Sequence, residues 1–109
     1  MKINRGDVFL IDLGVNLGSE QNGIRPCVVV QNNVGNEYSP ITIICPMTTK
    51  NKSSVATHVE LQFNGKQALV LCEQVRAVDK SRLFRKVGVL STQIMQAVGE
   101  SIKSTLSIE

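Results

Sequence analysis

Between Val8 and Leu90 the apolar residues arrive in short runs, and turn-forming residues separate them. The runs are Val8–Leu13, Cys27–Gln31, Ile41–Cys45, Thr57–Leu61, Ala68–Gln74 and Lys86–Leu90. Runs this short and this rich in Val and Ile suit strands. Asn64-Gly65 is a strong hairpin signal between two of them, and Ser39-Pro40 closes another connection. At Ser91 the period changes. Ile94, Val98, Ile102 and Leu106 recur every fourth residue, which predicts one amphipathic helix with Ser91 as its N-cap. Gly99 inside it costs about 1 kcal/mol relative to Ala and marks a close approach of a partner or of the sheet. Several strands with tight turns, then a terminal helix, predict a mainly β (α+β) domain. Its expected form is a small twisted antiparallel barrel or half-barrel, with the helix packed against it.

The 109 residues make one domain, 1–109. Twelve basic against nine acidic residues leave a net charge of +3, which permits an acidic partner without demanding one. No apolar run approaches the length of a membrane span, and Met1–Gly6 lacks a signal-type apolar segment, so a cytoplasmic protein is expected. Cys27, Cys45 and Cys72 are odd in number and each lies in or beside an apolar run, as reduced core thiols do. His58 is the only histidine, too few for a zinc site; neither metal nor cofactor is expected.

Chemistry concentrates at strand ends. Gly18-Ser19-Glu20-Gln21-Asn22-Gly23-Ile24-Arg25-Pro26 forms a loop with a carboxylate and a guanidinium five residues apart. The pair fits either a polar active site or a surface ion pair stapling the loop. Pro26, without an N–H, suits the first residue of the following strand. Thr48-Thr49 follows the third strand and offers hydroxyls, as donors to a phosphate oxygen or as ordinary turn residues. Glu73-Gln74 ends the central strand, as ligand positioners or as emergence into solvent. Arg76, Lys80, Arg82, Arg85 and Lys86 form a basic stretch, suited to a nucleic-acid backbone or to blunting a sheet edge. His58 alternates with Val59 and reads as a structural strand residue.

These residues, in this order, resemble the MazF/PemK family of toxin–antitoxin endoribonucleases over nearly the whole chain. The resemblance rests on Arg5-Gly6-Asp7, on Gly18-Ser19-Glu20-Gln21-x-Gly23-x-Arg25-Pro26 with Val28–Asn32, and on Tyr38-Ser39-Pro40. Thr57–Glu60 and Glu73-Gln74-Val75-Arg76-x-x-Asp79-Lys80-x-Arg82-Leu83 extend it. It implies an SH3-like barrel of about six to seven strands with a C-terminal helix. It implies metal-independent cleavage of single-stranded RNA (mRNA), not DNA, in which the ribose 2′-OH attacks its own phosphate and leaves 2′,3′-cyclic phosphate and 5′-OH ends. Some members with this pattern read a U-A-C-A-U-like site. A homodimer and a cognate MazE-like antitoxin are the implied partners.

By that resemblance Arg25, Thr48 and Glu20 are catalytic. Arginine holds its proton too tightly to shuttle it, so Arg25 is expected to bind phosphate, Thr48 to donate to a non-bridging oxygen, and Glu20 to act as base. Ser19, Gln21, Asn32, Thr49, Gln74 and the 50–56 loop are the expected substrate readers. Two other functions compete: a CcdB-like gyrase poison, which acts through a C-terminal Trp-Gly-Ile that this chain lacks, and a non-catalytic SH3-like module, which needs no such charged set.

Overall fold

The computed structural model describes residues 1–18, 20–49 and 57–109. Seven strands form one antiparallel sheet: β1 (Asp7–Asp12), β2 (Ile24–Val29), β3 (Ile41–Thr48), β4 (His58–Phe63), β5 (Lys66–Leu71), β6 (Arg76–Asp79) and β7 (Leu83–Val89). Hydrogen-bonded neighbours run β4-β5-β3-β2-β1-β7, and β6 pairs with the first half of β3. The strand path curls into a half-barrel. Its two ends meet through side chains: the Phe63 ring of β4 lies where a Cβ on Gly88 of β7 would stand, 2.6 Å from Cε1. Helix α2 (Thr92–Thr105) follows β7, and Ser91 Oγ accepts from Ile94 N at 3.2 Å, as an N-cap should.

Both faces of the central strands are buried, which explains their continuous apolar runs. Val8, Val28, Cys45 and Met47 point into a core shared with Met95 and Val98 of α2. Phe9, Ile11, Cys27, Val29 and Ile44 point into the second core, with Val78 and Leu83. The expected stripe on α2 is present from Ile94 to Ile102, but Leu106 falls past the last turn as the C-cap and is exposed. The close approach at Gly99 is made by the Arg5 guanidinium.

Four local expectations change. The third strand does not stop at Pro46 but runs on to Thr48. Pro46 pairs with Cys27 on one side; on the other, β6 pairs only as far as Ile44 and β5 starts at Met47. A missing N–H costs no ladder bond at such a change of partner. Pro26 is likewise the third residue of β2 rather than the first, and it pairs only with Leu10 of β1, since β3 joins at Cys27. The run Ala68–Gln74 breaks after Leu71 into a 3-10 turn, Cys72–Gln74, which frees β6 to pair separately. The turn-rich segment after Asn32 is a short helix, α1 (Asn33–Tyr38), capped by Asn32 Oδ1 on Gly35 N at 2.8 Å. The hairpin at Asn64-Gly65 is as expected, with φ of 51° and 78°, and a second 3-10 turn spans Lys80–Arg82.

All three cysteines are free and buried. Burial pushes the Cys27 thiol up to about 12. A hydrogen bond with Cys72 pushes Cys45 up, and the same bond holds Cys72 below its ordinary value. No helix among the described residues is long and apolar enough to cross a membrane, and the described residues hold no metal-binding cluster.

Candidate active site

The loop from Leu13 to Gly23 is closed at its root by backbone bonds. Leu13 N donates to Gly23 O at 2.9 Å and Gly23 N to Gly14 O at 2.8 Å. Gly23 makes both bonds at φ +70°, a conformation that side chains disfavour. Asn16 laces the interior: its Nδ2 donates to Leu13 O at 3.1 Å and Gln21 O at 2.6 Å, and its backbone N to Asn22 Oδ1. Two arginines of the basic stretch clamp the root from outside, Arg76 Nη1 on Leu13 O and Arg82 Nη1 on Asp12 O, each at 3.3 Å. Part of that stretch therefore holds protein backbone. Lys86 pairs with the buried Asp7 carboxylate at 3.1 Å.

Between this loop and the Cys72–Gln74 turn lies a cavity of about 220 Å³. Its polar lining is Asn16, Glu20, Gln21, Glu73, Gln74 and Arg76; Leu13, Pro46 and Val75 complete it. Gln21 N donates to Gln74 Oε1 at 3.0 Å, which ties loop to turn. Three expected site residues, Glu20, Gln21 and Gln74, thus share one cavity.

Glu20 and Arg25 do not form the stapling ion pair. Leu17 N donates to Glu20 Oε2 at 3.2 Å, and Arg25 Nε donates to Asn22 O at 3.1 Å. Arg25 is exposed on β2, opposite Ile11. It is not among the cavity's lining residues, but its partner Asn22 also accepts from Asn16, which is. Thr48 ends β3 buried, 6% exposed, opposite Leu69. In the β2–β3 register, numbers of paired residues sum to a constant from Val29↔Ile44 to Cys27↔Pro46. The pairing ends there, two residues short of Arg25 on β2 and of Thr48 on β3.

Of the remaining expected readers, Thr49 is exposed just past β3. Asn32 lies outside the cavity lining and spends its Oδ1 on capping α1. Ser19 and the 50–56 loop lie outside the described residues.

One part of the site was not assembled from the sequence. Glu73 accepts from Thr57 Oγ1 at 3.3 Å and faces His58 Nε2 at 2.8 Å. The His58 side chain is only 5% exposed, and its Nδ1 has no partner among the described residues. An unpaired buried N–H is costly, so the network assigns the proton to Nε2, which donates to the carboxylate. The strand register His58↔Leu71 brings these residues together. Alternation alone reveals only which residues share a face, not which turn they will meet.

A family model described as "PemK-like, MazF-like toxin of type II toxin-antitoxin system" matches residues 4–106. The chain is 42% identical to Endoribonuclease MazF of Staphylococcus saprophyticus, over 97% of this chain and 92% of that protein. Among solved structures, MazF from Deinococcus radiodurans superposes with a TM-score of 0.86 at 22% identity, covering 98% of each chain. A MazE-MazF structure from the same organism superposes with a TM-score of 0.82 at 22% identity, covering 100% of this chain and 99% of that one.

Proposed function

The chain belongs to the PemK-like, MazF-like toxin family, and from that premise we propose that it is an endoribonuclease that cuts single-stranded RNA by internal transfer to the ribose 2′-oxygen. The reaction needs a base for the 2′-OH, positive charge on the pentacovalent phosphate, and a proton for the leaving 5′-oxygen. Glu20 takes the 2′-OH proton as the O2′–P bond forms. Arg25 and the Thr48 hydroxyl hold the phosphoryl oxygens as negative charge builds. The P–O5′ bond then breaks, the 5′-oxygen takes a proton from solvent water, and a 2′,3′-cyclic phosphate remains. The base and the charge on the phosphate come from side chains of this chain, and the scheme needs no metal.

The observation that carries this reading is the separation of Glu20 from Arg25. A carboxylate and a guanidinium so near in sequence would pair if their task were to staple the loop; each instead bonds to backbone. The terminal nitrogens of Arg25 bond to none of the described residues, which leaves them for a phosphate.

Gln21 and Gln74, joined across the cavity, are the substrate readers best supported. Ser19, Thr49 and Asn32 enter as further readers by family likeness, with a U-A-C-A-U-like target. The same likeness supports a cytoplasmic homodimer inhibited by a MazE-type antitoxin; a MazE-MazF structure is among those that superpose on this chain. The test is a long single-stranded RNA incubated with purified protein in EDTA. Discrete fragments that accept label from a polynucleotide kinase without prior dephosphorylation carry 5′-OH ends and support the reading. RNA left intact at high protein concentration overturns it.

A further inference from the structure

The cavity carries two carboxylates, Glu20 and Glu73, against one guanidinium, Arg76, which already donates to Leu13 O, so its net charge is negative and favours a base edge over the phosphate that Arg25 attracts. At about 220 Å³ it is smaller than the ~300 Å³ of an ordinary small-molecule pocket. It has room for one base rather than a length of backbone. The Glu73 carboxylate is not a floating charge. His58 Nε2 holds one oxygen and Thr57 Oγ1 the other. His58 is almost fully buried on β4, while the Glu73 side chain is 36% exposed at the cavity. A flexible acid has thereby become an oriented acceptor, with one lone pair on each oxygen unspent among the described residues.

Resting on the RNA-cleavage reading above, the geometry points to Glu73 as a specificity residue that selects an amino-bearing base beside the cut, with His58 and Thr57 as its positioning residues. Cytosine, adenine and guanine each present an exocyclic amino donor that a carboxylate accepts, as it does from the cytosine N4 amine. Uracil offers a single N–H flanked by two carbonyl oxygens, and those oxygens meet the carboxylate with like charge. The pocket therefore rejects uracil at this one position.

The test sequences the cut sites in a randomised RNA pool cleaved by the wild-type protein and by Glu73→Gln. Wild type should disfavour uracil at one position flanking the cut by about tenfold. In Glu73→Gln, whose amide can face a carbonyl, that bias should vanish while the other positions keep theirs. His58→Gln retains a donor near Nε2 and should keep the bias; His58→Leu should lose it. A purely structural histidine would lower activity in both variants without moving the base profile. A readout independent of cleavage is anisotropy of short labelled RNAs bound to Arg25→Ala, with the selected base present or replaced by uracil. Weaker binding of the uracil form supports the pocket even if the proposed chemistry fails. An unchanged base profile in Glu73→Gln, or equal binding of the two RNAs, overturns the assignment. Should Glu73→Gln not fold, the binding pair decides alone.

Discussion

Two regions of this molecule draw on the same polar residue types and use them in opposite ways. Around α1, Asn36 is 3% exposed and spends every bond it has. Its Oδ1 accepts from Thr42 Oγ1 at 2.7 Å and Gln31 Nε2 at 3.1 Å. Its Nδ2 donates to Gln31 O at 3.0 Å and Asn33 Oδ1 at 3.3 Å, and its carbonyl accepts from Lys80 Nζ. Two lone pairs and two protons are an amide's whole capacity. Around the cavity, Glu20, Arg25 and Glu73 each give part of a charged group to the fold and keep the rest at the surface. Saturation separates the region that holds the protein together from the region that meets a substrate. Both are polar; only one has hydrogen-bonding capacity left over.

The contrast breaks most sharply at Arg25. Arg25→Ala should slow RNA cleavage by about 100-fold or more, ~3 kcal/mol at the barrier by analogy with loss of an oxyanion donor. Its exposed side chain makes one backbone bond, so the urea unfolding free energy should move by no more than about 0.5 kcal/mol. A large stability loss in this variant would place Arg25 with the saturated region instead. Asn36→Leu should do the reverse. It strands the buried Thr42 hydroxyl and takes one partner from the half-buried Gln31 amide, which still donates to Ile41 O, and so costs about 2 kcal/mol of unfolding free energy. Wherever the variant is still folded, its cut-site profile should match wild type. A changed profile would mean that the two regions are coupled.

How far the sequence spoke follows the same division. The strands and α2 were legible because burial on two faces or on one stripe leaves a period in the chain. What was lost depended on partners rather than on period. Pro46 reads as a strand end, yet β3 changes neighbours there and passes through. Gly88 gives no signal of the Phe63 ring that fills its missing side chain. Glu20, Gln21 and Gln74 were legible as chemistry because polar residues interrupt apolar runs there. Asn32 was read as a substrate contact, although its spacing to Gly35 also suits the helix cap that the structure shows. Glu73, His58 and Thr57 were each visible, but their union depends on a register that the chain does not spell out.

The smallest effect comes from an acid at the end of β6. Asp79, paired with Ile41 on β6, caps the Lys80–Arg82 turn. Hydrogen bonds from the Ser81 side chain and its backbone N–H, the latter at 2.9 Å, hold the Asp79 carboxyl below its ordinary 3.8. A depressed folded value means that the charged form stabilises the native state. That contribution is complete above the unfolded value and fades as pH falls through the folded one. Asp79→Asn keeps the shape of the cap and removes the titration. The stability gap between wild type and variant should therefore be constant near neutral pH and should narrow below 3.8, as measured by urea unfolding at pH 7 and pH 3. The carboxyl is fully exposed, so the change should be small beside that of Asn36→Leu. A gap that widened in acid would reverse the sign of the argument, and would mean that the turn prefers an uncharged residue at this cap.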